Sequence, residues 1–332
     1  MKAITYTKYA KNIFLLTLML LSTSAMVAQD EEEEDTKPKF TFSGSVDAYY
    51  RANLNAPNGE DAQAPGSSFA NLPGFALGMA NVIAGYEGEK VGFVADLVFG
   101  PRGTDAIFAS PMYSATGNIV NQLYAYWNVS DKVKLTLGNF NTFLGYEVIS
   151  PVANFNYSTS YLFSYGPFSH TGLKADFALT DDFSLMLAVM NPTDLTEFNP
   201  TGQYAWGAQL GYSGQYLNLL IDNGSYEVDF TGGFDLSDSF FLGLNAAYFS
   251  GDEEDGIGSF AGVAVYPQIA TSETFTIGLR GEYFAETNEF GAIGGFDADG
   301  DASVFAVTLT GSATIGDLMI KPELRLDSAS EE

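Results

Sequence analysis

The sequence predicts an all-β fold, namely a transmembrane, antiparallel, up-and-down β-barrel of about sixteen strands. Three observations predict it. After Phe40 the chain repeats segments of alternating polar and apolar residues bounded by Gly, Asn, Asp or Ser, with no 3.6-residue period. These segments are about ten residues long, the length that a tilted strand needs to cross a bilayer. The N-terminus carries the pattern of an export signal.

The export signal occupies residues 1–28. Lys2, Lys8 and Lys11 form a basic region, residues 13–21 are almost entirely apolar, and small residues lead to a cleavage site after Ala28. The apolar run is too short for an anchoring helix, which needs about 20 residues. We therefore predict a cleaved signal peptide and a chain exported from the cytoplasm.

Behind this signal we predict two further segments. Residues 29–39, which include six consecutive acids, are expected to be an acidic periplasmic tail, and residues 40–332 are expected to be the barrel domain. The predicted strands are 40–53, 74–87, 89–100, 119–129, 133–141, 171–180, 183–191, 204–213, 215–222, 226–235, 239–250, 257–268, 273–286, 302–315 and 317–327. Because bacterial single-chain barrels close with an even number of strands, we expect the sequence to lack the last of sixteen. The alternative is fourteen, with 215–222 divided wrongly.

The predicted connections alternate in length. Short turns such as 87–89, 130–132 and 180–182 follow even-numbered strands, whereas long connections such as 54–73 and 101–118 follow odd-numbered strands. Outer-membrane barrels have short periplasmic turns and long external loops. This alternation therefore favours an outer-membrane barrel with a periplasmic N-terminus.

The segment 273–286 illustrates the two faces of a strand. Phe275, Ile277 and Leu279 fall on one face, and Arg280 and Glu282 fall on the other. A soluble sandwich or barrel shows the same period of two, so alternation alone does not separate it from a membrane barrel. The strand lengths, the even spacing and the export signal favour apolar residues toward lipid and polar residues toward water.

Composition excludes several classes of function. The 332 residues include 41 acids and 14 bases, for a net charge of −27. Nucleic acid is excluded as a partner because its binding depends on Lys and Arg. The chain has no cysteine, which excludes disulfides, thiolate metal sites and cysteine nucleophiles. Most acids fall outside the strand bodies, so we expect them to surround the pore and attract cations by field focusing.

The longest connection, Asn141 to His170, is the third outward loop. It is rich in aromatic residues, with Gly and Pro between them, which is unlike an unstructured loop. In a wide barrel the available surface is the inner wall. We therefore predict that this loop folds into the lumen; the alternative is an external cap.

The same region resembles a known family, the OmpL-like group of outer-membrane β-barrel porins common in Bacteroidota. The motifs that carry the resemblance are Gly138-Asn139-Phe140, Gly145-Tyr146-Glu147, Asn156-Tyr157-Ser158, Ser160-Tyr161-Leu162-Phe163, Gly166-Pro167-Phe168 and His170-Thr171-Gly172. The resemblance implies a passive porin of poorly defined substrate. The absence of an aromatic terminal strand departs from the family pattern.

Charged and tyrosine side chains are the candidate pore-lining and constriction residues. A charge facing lipid costs about 2–4 kcal/mol near the midplane, so charges in strands are expected to face the lumen. The candidates are Glu147, Tyr146, Tyr157, Tyr161, Asp96, Lys134, Lys174, Asp176, Arg280, Glu282, Lys321, Glu323 and Arg325, together with Asp47, Arg51 and Asp229. For the charges, salt bridges in the wall compete with a role in selectivity. For the tyrosines, stacking of sugar rings competes with membrane-interface girdles.

Two other features are weak candidates for chemistry. His170 is the only histidine, so a multi-histidine metal site is excluded, and we expect a hydrogen-bonding residue at a strand start rather than a partner for Ser164 or Ser169. Asp297, Asp299 and Asp301 resemble the opening of a calcium loop, but Gly stands at the fourth position and no Glu at the twelfth. We expect a solvated loop there.

The function that these features favour is an outer-membrane porin, a water-filled pore for passive diffusion of small hydrophilic solutes with a weak cation preference. The alternative is a plugged barrel that acts as an adhesin or scaffold. We expect no enzymatic activity and no cofactor. The expected partners are outer-membrane lipid and small hydrophilic solutes, and a homotrimer is the expected assembly.

Overall fold

The computed structural model describes residues 38–59, 68–107, 119–252 and 254–331. The predicted signal peptide, and the predicted acidic tail up to residue 37, lie outside the described residues. In the described part of the chain, no helix is long and apolar enough to cross a membrane.

The fold is all-β and antiparallel. The strands are β1 (Lys39–Arg51), β2 (Gly74–Glu87), β3 (Val91–Phe99), β4 (Val120–Ser130), β5 (Val133–Asn141), β6 (Ser169–Ala178), β7 (Phe183–Met190), β8 (Ala205–Tyr212), β9 (Gln215–Asp222), β10 (Ser225–Asp235), β11 (Phe240–Ser250), β12 (Ser259–Ala270), β13 (Phe275–Thr287), β14 (Ala302–Ile315), β15 (Leu318–Ile320) and β16 (Glu323–Ala329). They follow one another in the sheet in chain order up to β15, and β16 also pairs with β14. The predicted up-and-down arrangement is confirmed.

The last two strands are one strand interrupted by a proline. Ala313 pairs with Ile320 and Thr310 pairs with Glu323, so the register to β14 continues across the break. Pro322 lies in the break because it has no backbone N–H to donate to a ladder. The segments therefore correspond to the fifteen predicted strands. Since β9 is a strand of its own, the alternative of fourteen is wrong, and the sheet of sixteen segments agrees with the prediction of about sixteen strands.

Within the described residues, two short helices lie in the loops, where the sequence predicted none. Helix α1 (Pro101–Ala106) starts with Pro at its first turn after Gly100, whose φ is 96°. Its Arg102 is buried, with the guanidinium 4.5 Å from the centre of the Phe69 ring. Helix α2 (Tyr161–Tyr165) lies in the third loop. Both helices are too short to produce a helical period that a sequence scan detects.

The alternation of faces is confirmed on β13. Phe275, Ile277 and Leu279 are exposed, whereas Arg280 and Glu282 are fully buried. We call the side of the sheet that carries Arg280 the polar face and the opposite side the apolar face. The apolar face presents its large hydrophobic side chains to the surroundings, as expected for a surface in contact with lipid.

The described chain divides into two compact units. The first unit contains residues 145–165 and 229–331, and the second contains residues 38–144 and 166–228. The core of the first unit includes Tyr161, Phe260, Tyr266, Phe284 and Val304. The core of the second unit includes Phe140, Leu144, Met186, Met190 and Leu220.

Candidate functional site: the third loop on the polar face

The loop segment 145–165 packs along the polar face of the first unit. The Tyr146 ring stacks on Tyr266 with centroids 4.3 Å apart, and the Tyr161 ring lies 5.7 Å from Phe284. Tyr266 lies in the body of β12, and Arg280, which binds the same segment, lies in the middle of β13. The predicted inward packing of the third loop is therefore confirmed for this segment, and the alternative of an external cap does not describe it.

A buried ion pair forms the centre of this contact. Arg280 Nη1 lies 2.7 Å from Glu147 Oε1, and the exposed fraction of the two side chains is 0% and 3%. The guanidinium also donates to the Ser158 carbonyl at 2.6 Å and to Thr308 Oγ1 at 3.1 Å. The other oxygen of Glu147 accepts from the Ser160 N–H at 2.7 Å and the Ser160 hydroxyl at 2.9 Å. A buried ion pair with such hydrogen bonds holds its geometry, and loss of one partner is costly.

A carboxylate of β13 binds the N-terminus of helix α2. Glu282, which is fully buried, accepts the backbone N–H groups of Tyr161 and Leu162, each at 2.9 Å. Ser160 acts as the N-cap, since its Oγ accepts the Phe163 N–H at 3.0 Å. The first three N–H groups of the helix, which have no partner within it, are thus all satisfied.

The last strand binds the segment that precedes this helix. Glu323 accepts the N–H groups of Tyr157 at 2.9 Å and Ser158 at 3.2 Å. Arg325 Nη1 donates to the Thr159 carbonyl at 2.8 Å. Carboxylates of the strands therefore bind loop amides, and an arginine of the last strand binds a loop carbonyl, so these loop backbone groups find partners within the protein.

Three more hydrogen bonds extend this pattern along the segment. Lys321 Nζ donates to the carbonyls of Pro151 and Asn154. At the other end, the Tyr161 hydroxyl donates to Asp327 Oδ2 at 3.1 Å. We call the set Glu147, Arg280, Glu282, Lys321, Glu323 and Arg325 the anchor charges.

Glycines on the polar face make room for the loop. A Cβ on Gly243 would lie 2.3 Å from Tyr146 Oη, and a Cβ on Gly278 would lie 2.5 Å from Phe155 Cε1. A Cβ on Gly262 would lie 2.8 Å from a methyl group of Leu162. Real Cβ atoms do not approach so closely. These glycines are therefore required by packing and not by backbone conformation.

Burial also keeps the loop tyrosines neutral. The pKa of Tyr146 is raised well above its usual value by burial and by the nearby Glu147 carboxylate. The pKa of Tyr161 is raised by burial and by Asp327. Both hydroxyls therefore remain protonated at any physiological pH.

The polar face of the second unit differs from that of the first, because its charged side chains contact aromatic rings and side-chain amides. Asp96 is buried and accepts from Asn121 Nδ2 at 2.6 Å. Lys134 Nζ lies 5.7 Å from the centre of the Tyr126 ring, and Lys174 Nζ lies 5.0 Å from that of Phe140. Lys134, Lys174 and Asp176 are half-buried, and Lys134 is directly opposite Asp176 in the register.

The two ends of the third loop are held in the second unit. Thr142 Oγ1 lies 2.9 Å from Nε2 of His170, which is fully buried at the second residue of β6. The prediction of a hydrogen-bonding histidine at a strand start is confirmed. Asp194 Oδ1 accepts the N–H groups of Phe168 at 2.9 Å and Ser169 at 2.8 Å. Burial, more than the neighbouring Asp222, raises the pKa of Asp194 to about 6.

Three other predicted charges also bind backbone or amide groups. Asp229, which is buried, accepts the Gly145 N–H at 3.0 Å and thus holds the start of the loop segment. Asp47 accepts the Met79 N–H at 2.9 Å, beside a bulge in β1. Arg51 Nη2 donates to Asn53 Oδ1 at 2.7 Å.

The structure thus brings together nine of the predicted site residues, which either belong to the loop segment or contact it from the strands. They are Tyr146, Glu147, Tyr157, Tyr161, Arg280, Glu282, Lys321, Glu323 and Arg325. We expected Glu147 to be carried into the pore as an accessible charge, and we expected Arg280 and Glu282 to face water. The structure instead buries all three, with Glu147 only 5% exposed.

Sequence reasoning missed two residues that hold loops in place, Glu286 and Asp194. Glu286 accepts the N–H groups of Ala292 at 2.6 Å and Ile293 at 3.2 Å, so it holds a second loop as Glu282 holds the third. Glu286 lies four residues after Glu282 in the same strand, so the two side chains point to the same face. This spacing is the signal that could have identified Glu286. Asp194 carries no such signal because it lies in a loop with φ of 62°.

The weak calcium candidate forms an exposed turn. Asp297 Oδ1 accepts the N–H groups of Asp299 at 2.9 Å and Asp301 at 3.0 Å. Among the described residues, no group of three or more His, Cys, Asp or Glu side chains is placed to hold a metal ion. The first carboxylate therefore serves the turn itself.

Solved structures with a similar fold are distant in sequence. The outer membrane channel DcaP of Acinetobacter baumannii has 10% identity and a TM-score of 0.49 over 90% of this chain and 98% of that chain. A loop L8 deletion mutant of OmpT, an outer membrane protein of Vibrio cholerae, has 10% identity and a TM-score of 0.49 over 88% and 94%. At these values the likeness carries no argument about function. No curated protein matches.

The family comparison covers all of the described strands. The model of the family described as "Putative beta-barrel porin-2, OmpL-like" matches residues 39–332. The match contains every strand from β1 to β16 and all of the anchor charges. The chain therefore belongs to this OmpL-like family of outer-membrane β-barrel porins.

Proposed function

We propose that this porin passes small hydrophilic solutes passively through a water-filled pore, and that the loop segment 145–165 sets its narrowest part. The observation that carries this proposal is the buried pair of Glu147 and Arg280, which ties the loop to the body of β13. A loop held by buried charges is a fixed element. A fixed element can narrow a pore without closing it.

The pore lining is then assigned to charges that retain exposure. Lys134, Lys174 and Asp176 are half-buried on the polar face of the second unit. Opposed acids and bases orient polar solutes by their dipoles. The anchor charges hold the constriction in place, and these three are the side chains that we expect to meet solute.

A weak cation preference is supported by the distribution of charge. The net charge is −27, and acids dominate the outward connections, for example Asp252, Asp255, Asp297 and Asp299. A field of one sign at the mouth of a pore raises the local concentration of counter-ions. At high salt this preference should weaken, because exposed charges are screened over about 10 Å at 0.1 M.

The experiment is conductance of the purified protein in planar bilayers. We expect discrete steps of current whose size does not depend on the polarity of the voltage. Under a salt gradient, we expect a reversal potential whose sign indicates that cations are preferred. Failure to conduct would reject the porin. Anion preference would reject only the charge argument.

The second candidate is a plugged barrel that acts as a surface binding or structural protein. It is favoured by the complete burial of Arg280 and Glu282, since a polar face without water resembles a filled lumen. Absence of conductance together with binding of the protein to a surface ligand would select it. Neither candidate needs a catalytic group, and we assign no reaction to the chain. The homotrimer stays our expectation, to be tested by cross-linking in detergent.

A further inference from the structure

A row of large side chains crosses the apolar face of the second unit, with one gap. The register pairs Phe40 with Tyr86, Tyr86 with Phe93 and Phe93 with Ala125. It continues from Ala125 to Leu137 and on to Leu173. Each member is large except Ala125. The row is thus a wall of aromatic rings and a wall of leucines on either side of one small residue.

The gap in this row is a groove of about 860 Å³. Aromatic contacts form one wall, since the rings of Phe40 and Tyr86 lie 4.8 Å apart and those of Tyr86 and Phe93 lie 5.9 Å apart. Trp127, 49% exposed, also lines it. No charged residue lines the groove. Its volume is typical of ligand pockets, which are about 300–1,000 Å³.

The groove lies near the short-turn end of the strands. Val91, which lines it, is the first residue of β3, and its partner Trp127 lies three residues before the end of β4. Trp and Tyr at this level are typical of the membrane interface. A groove at this depth is open to acyl chains and lies beside the headgroups of the periplasmic leaflet.

The turns at this end have an unusual set of charges. Three exposed lysines lie at this end, namely Lys39 at the start of β1 and Lys90 and Lys132 in short turns, and no other short turn of the chain carries a base. They alternate with exposed acids, which are Glu87, Glu89 and Asp131. The short turns of the later strands carry acids alone, for example Asp181 and Asp182. Phosphate is therefore favoured only here, and the acids beside the lysines disfavour a purely anionic group.

We propose that this groove binds one phosphatidylethanolamine molecule of the periplasmic leaflet. An acyl chain fills the gap over Ala125, the headgroup phosphate meets the lysines, and the headgroup ammonium donates to the acids. A purely anionic headgroup satisfies only the lysines. A choline headgroup has no N–H to donate to Glu87 or Glu89. The proposal depends on the outer-membrane location and not on permeation.

The test is lipid retention measured by native mass spectrometry. The full chain, purified in detergent, is mixed with equal amounts of dioleoyl phosphatidylethanolamine, phosphatidylcholine and phosphatidylglycerol. We expect one phosphatidylethanolamine to be retained in preference to the other two. Ala125→Trp should lower the retention of phosphatidylethanolamine about tenfold, because the indole ring fills the gap and the acyl chain loses contact for roughly two methylene groups.

The matched control is Ala261→Trp, an exposed alanine on β12. It should leave lipid retention unchanged. Should Ala125→Trp fail to fold, as shown by loss of heat-modifiable gel mobility, the pair Lys90→Gln and Lys132→Gln on exposed turns tests the headgroup contact and should also lower retention. Equal retention of the three lipids would overturn the proposal. So would retention that neither set of variants changes, or dissociation of an oligomer by Ala125→Trp, which would assign the groove to a second copy.

Discussion

The polar faces of the two units carry similar residues but use them differently. In the first unit, Arg280 and Glu282 are fully buried, and they bind Glu147 and loop amides. In the second unit, Lys134 and Lys174 are half-buried and lie over aromatic rings. Alternation places charges on the polar face of each unit. In the first unit, packing of the third loop removes Arg280 and Glu282 from contact with water.

This difference separates two roles that a sequence alone merges. A charge that is buried, paired and hydrogen-bonded fixes geometry, since its removal leaves a partner without compensation. A charge that is partly exposed contributes little to stability but acts on ions that pass it. Substitution of charges on the polar face of the first unit should therefore change mainly stability, and substitution of charges on the polar face of the second unit should change mainly ion selectivity.

The largest expected effect is on the buried ion pair. Arg280→Ala leaves Glu147 buried without its partner, so we expect a loss of about 3–5 kcal/mol in the free energy of unfolding. Urea unfolding in detergent measures it. Channel noise should also rise, because the loop loses its main anchor. The double variant Arg280→Met with Glu147→Gln should recover much of the stability, and failure to recover any would show that the pair is not the unit that matters.

A smaller effect is expected from the wall glycines. In Gly278→Ala the new methyl group would lie 2.5 Å from the Phe155 ring, so we expect a destabilisation of about 1–3 kcal/mol. The matched control is Gly281→Ala in the same strand, where the nearest atom is 3.6 Å away in Val265. Similar unfolding midpoints for the two variants would contradict the packing of the loop on this face.

A pH effect of intermediate to small size is expected at the loop exit. Because the pKa of Asp194 is raised to about 6, the folded protein binds its proton more tightly than the unfolded chain. Stability contributed by this group is therefore greatest below pH 4 and falls as pH rises through 6. Asp194→Asn keeps an oxygen that accepts the two N–H groups. It should remove this slope and, since the side chain is half-buried, stabilise the protein at pH 7 by about 1–2 kcal/mol.

The check is urea unfolding of both proteins from pH 4 to pH 8. An unchanged slope in the variant would show that the loop exit does not sense the charge of Asp194.

The smallest effect on stability is expected in the second unit. Lys174→Gln removes a cation over the Phe140 ring, worth about 0.5–1 kcal/mol at an exposed site. The reversal potential under a salt gradient should nevertheless shift toward cations. A control is Lys132→Gln in an exposed turn, which should shift it less. Equal shifts would remove Lys174 from the pore lining.

The fold was predictable because a period of two is a local signal. Segment 215–222, which the alternative of fourteen strands divides differently, is β9, and Gly, Asn and Asp mark the turns on either side. The sequence predicted 317–327 as one strand, whereas Pro322 interrupts its pairing with β14 without shifting the register. Helix α2 had one local signal, its N-cap Ser160, which five helical residues could not amplify.

The site was predictable only as a set of candidates. Alternation selected Arg280, Glu282 and Glu323, but their partners lie far along the chain: Tyr161 and Glu282 are 121 positions apart. No local pattern encodes such a contact. Whether a polar side chain meets water or a loop amide depends on how the loop packs, and the glycines that permit this packing resemble turn residues in the sequence.

The central claim is that the loop segment is a fixed constriction in an open pore. The chain has no cysteine, so Leu162→Cys with Gly262→Cys can staple the loop to β12, where a Cβ on Gly262 would lie 3.2 Å from Leu162 Cγ. The measurement is single-channel conductance of this variant, oxidised and then reduced. We predict the same conductance in both states, at the level of the parent protein. A pore that conducts only after reduction would contradict the account.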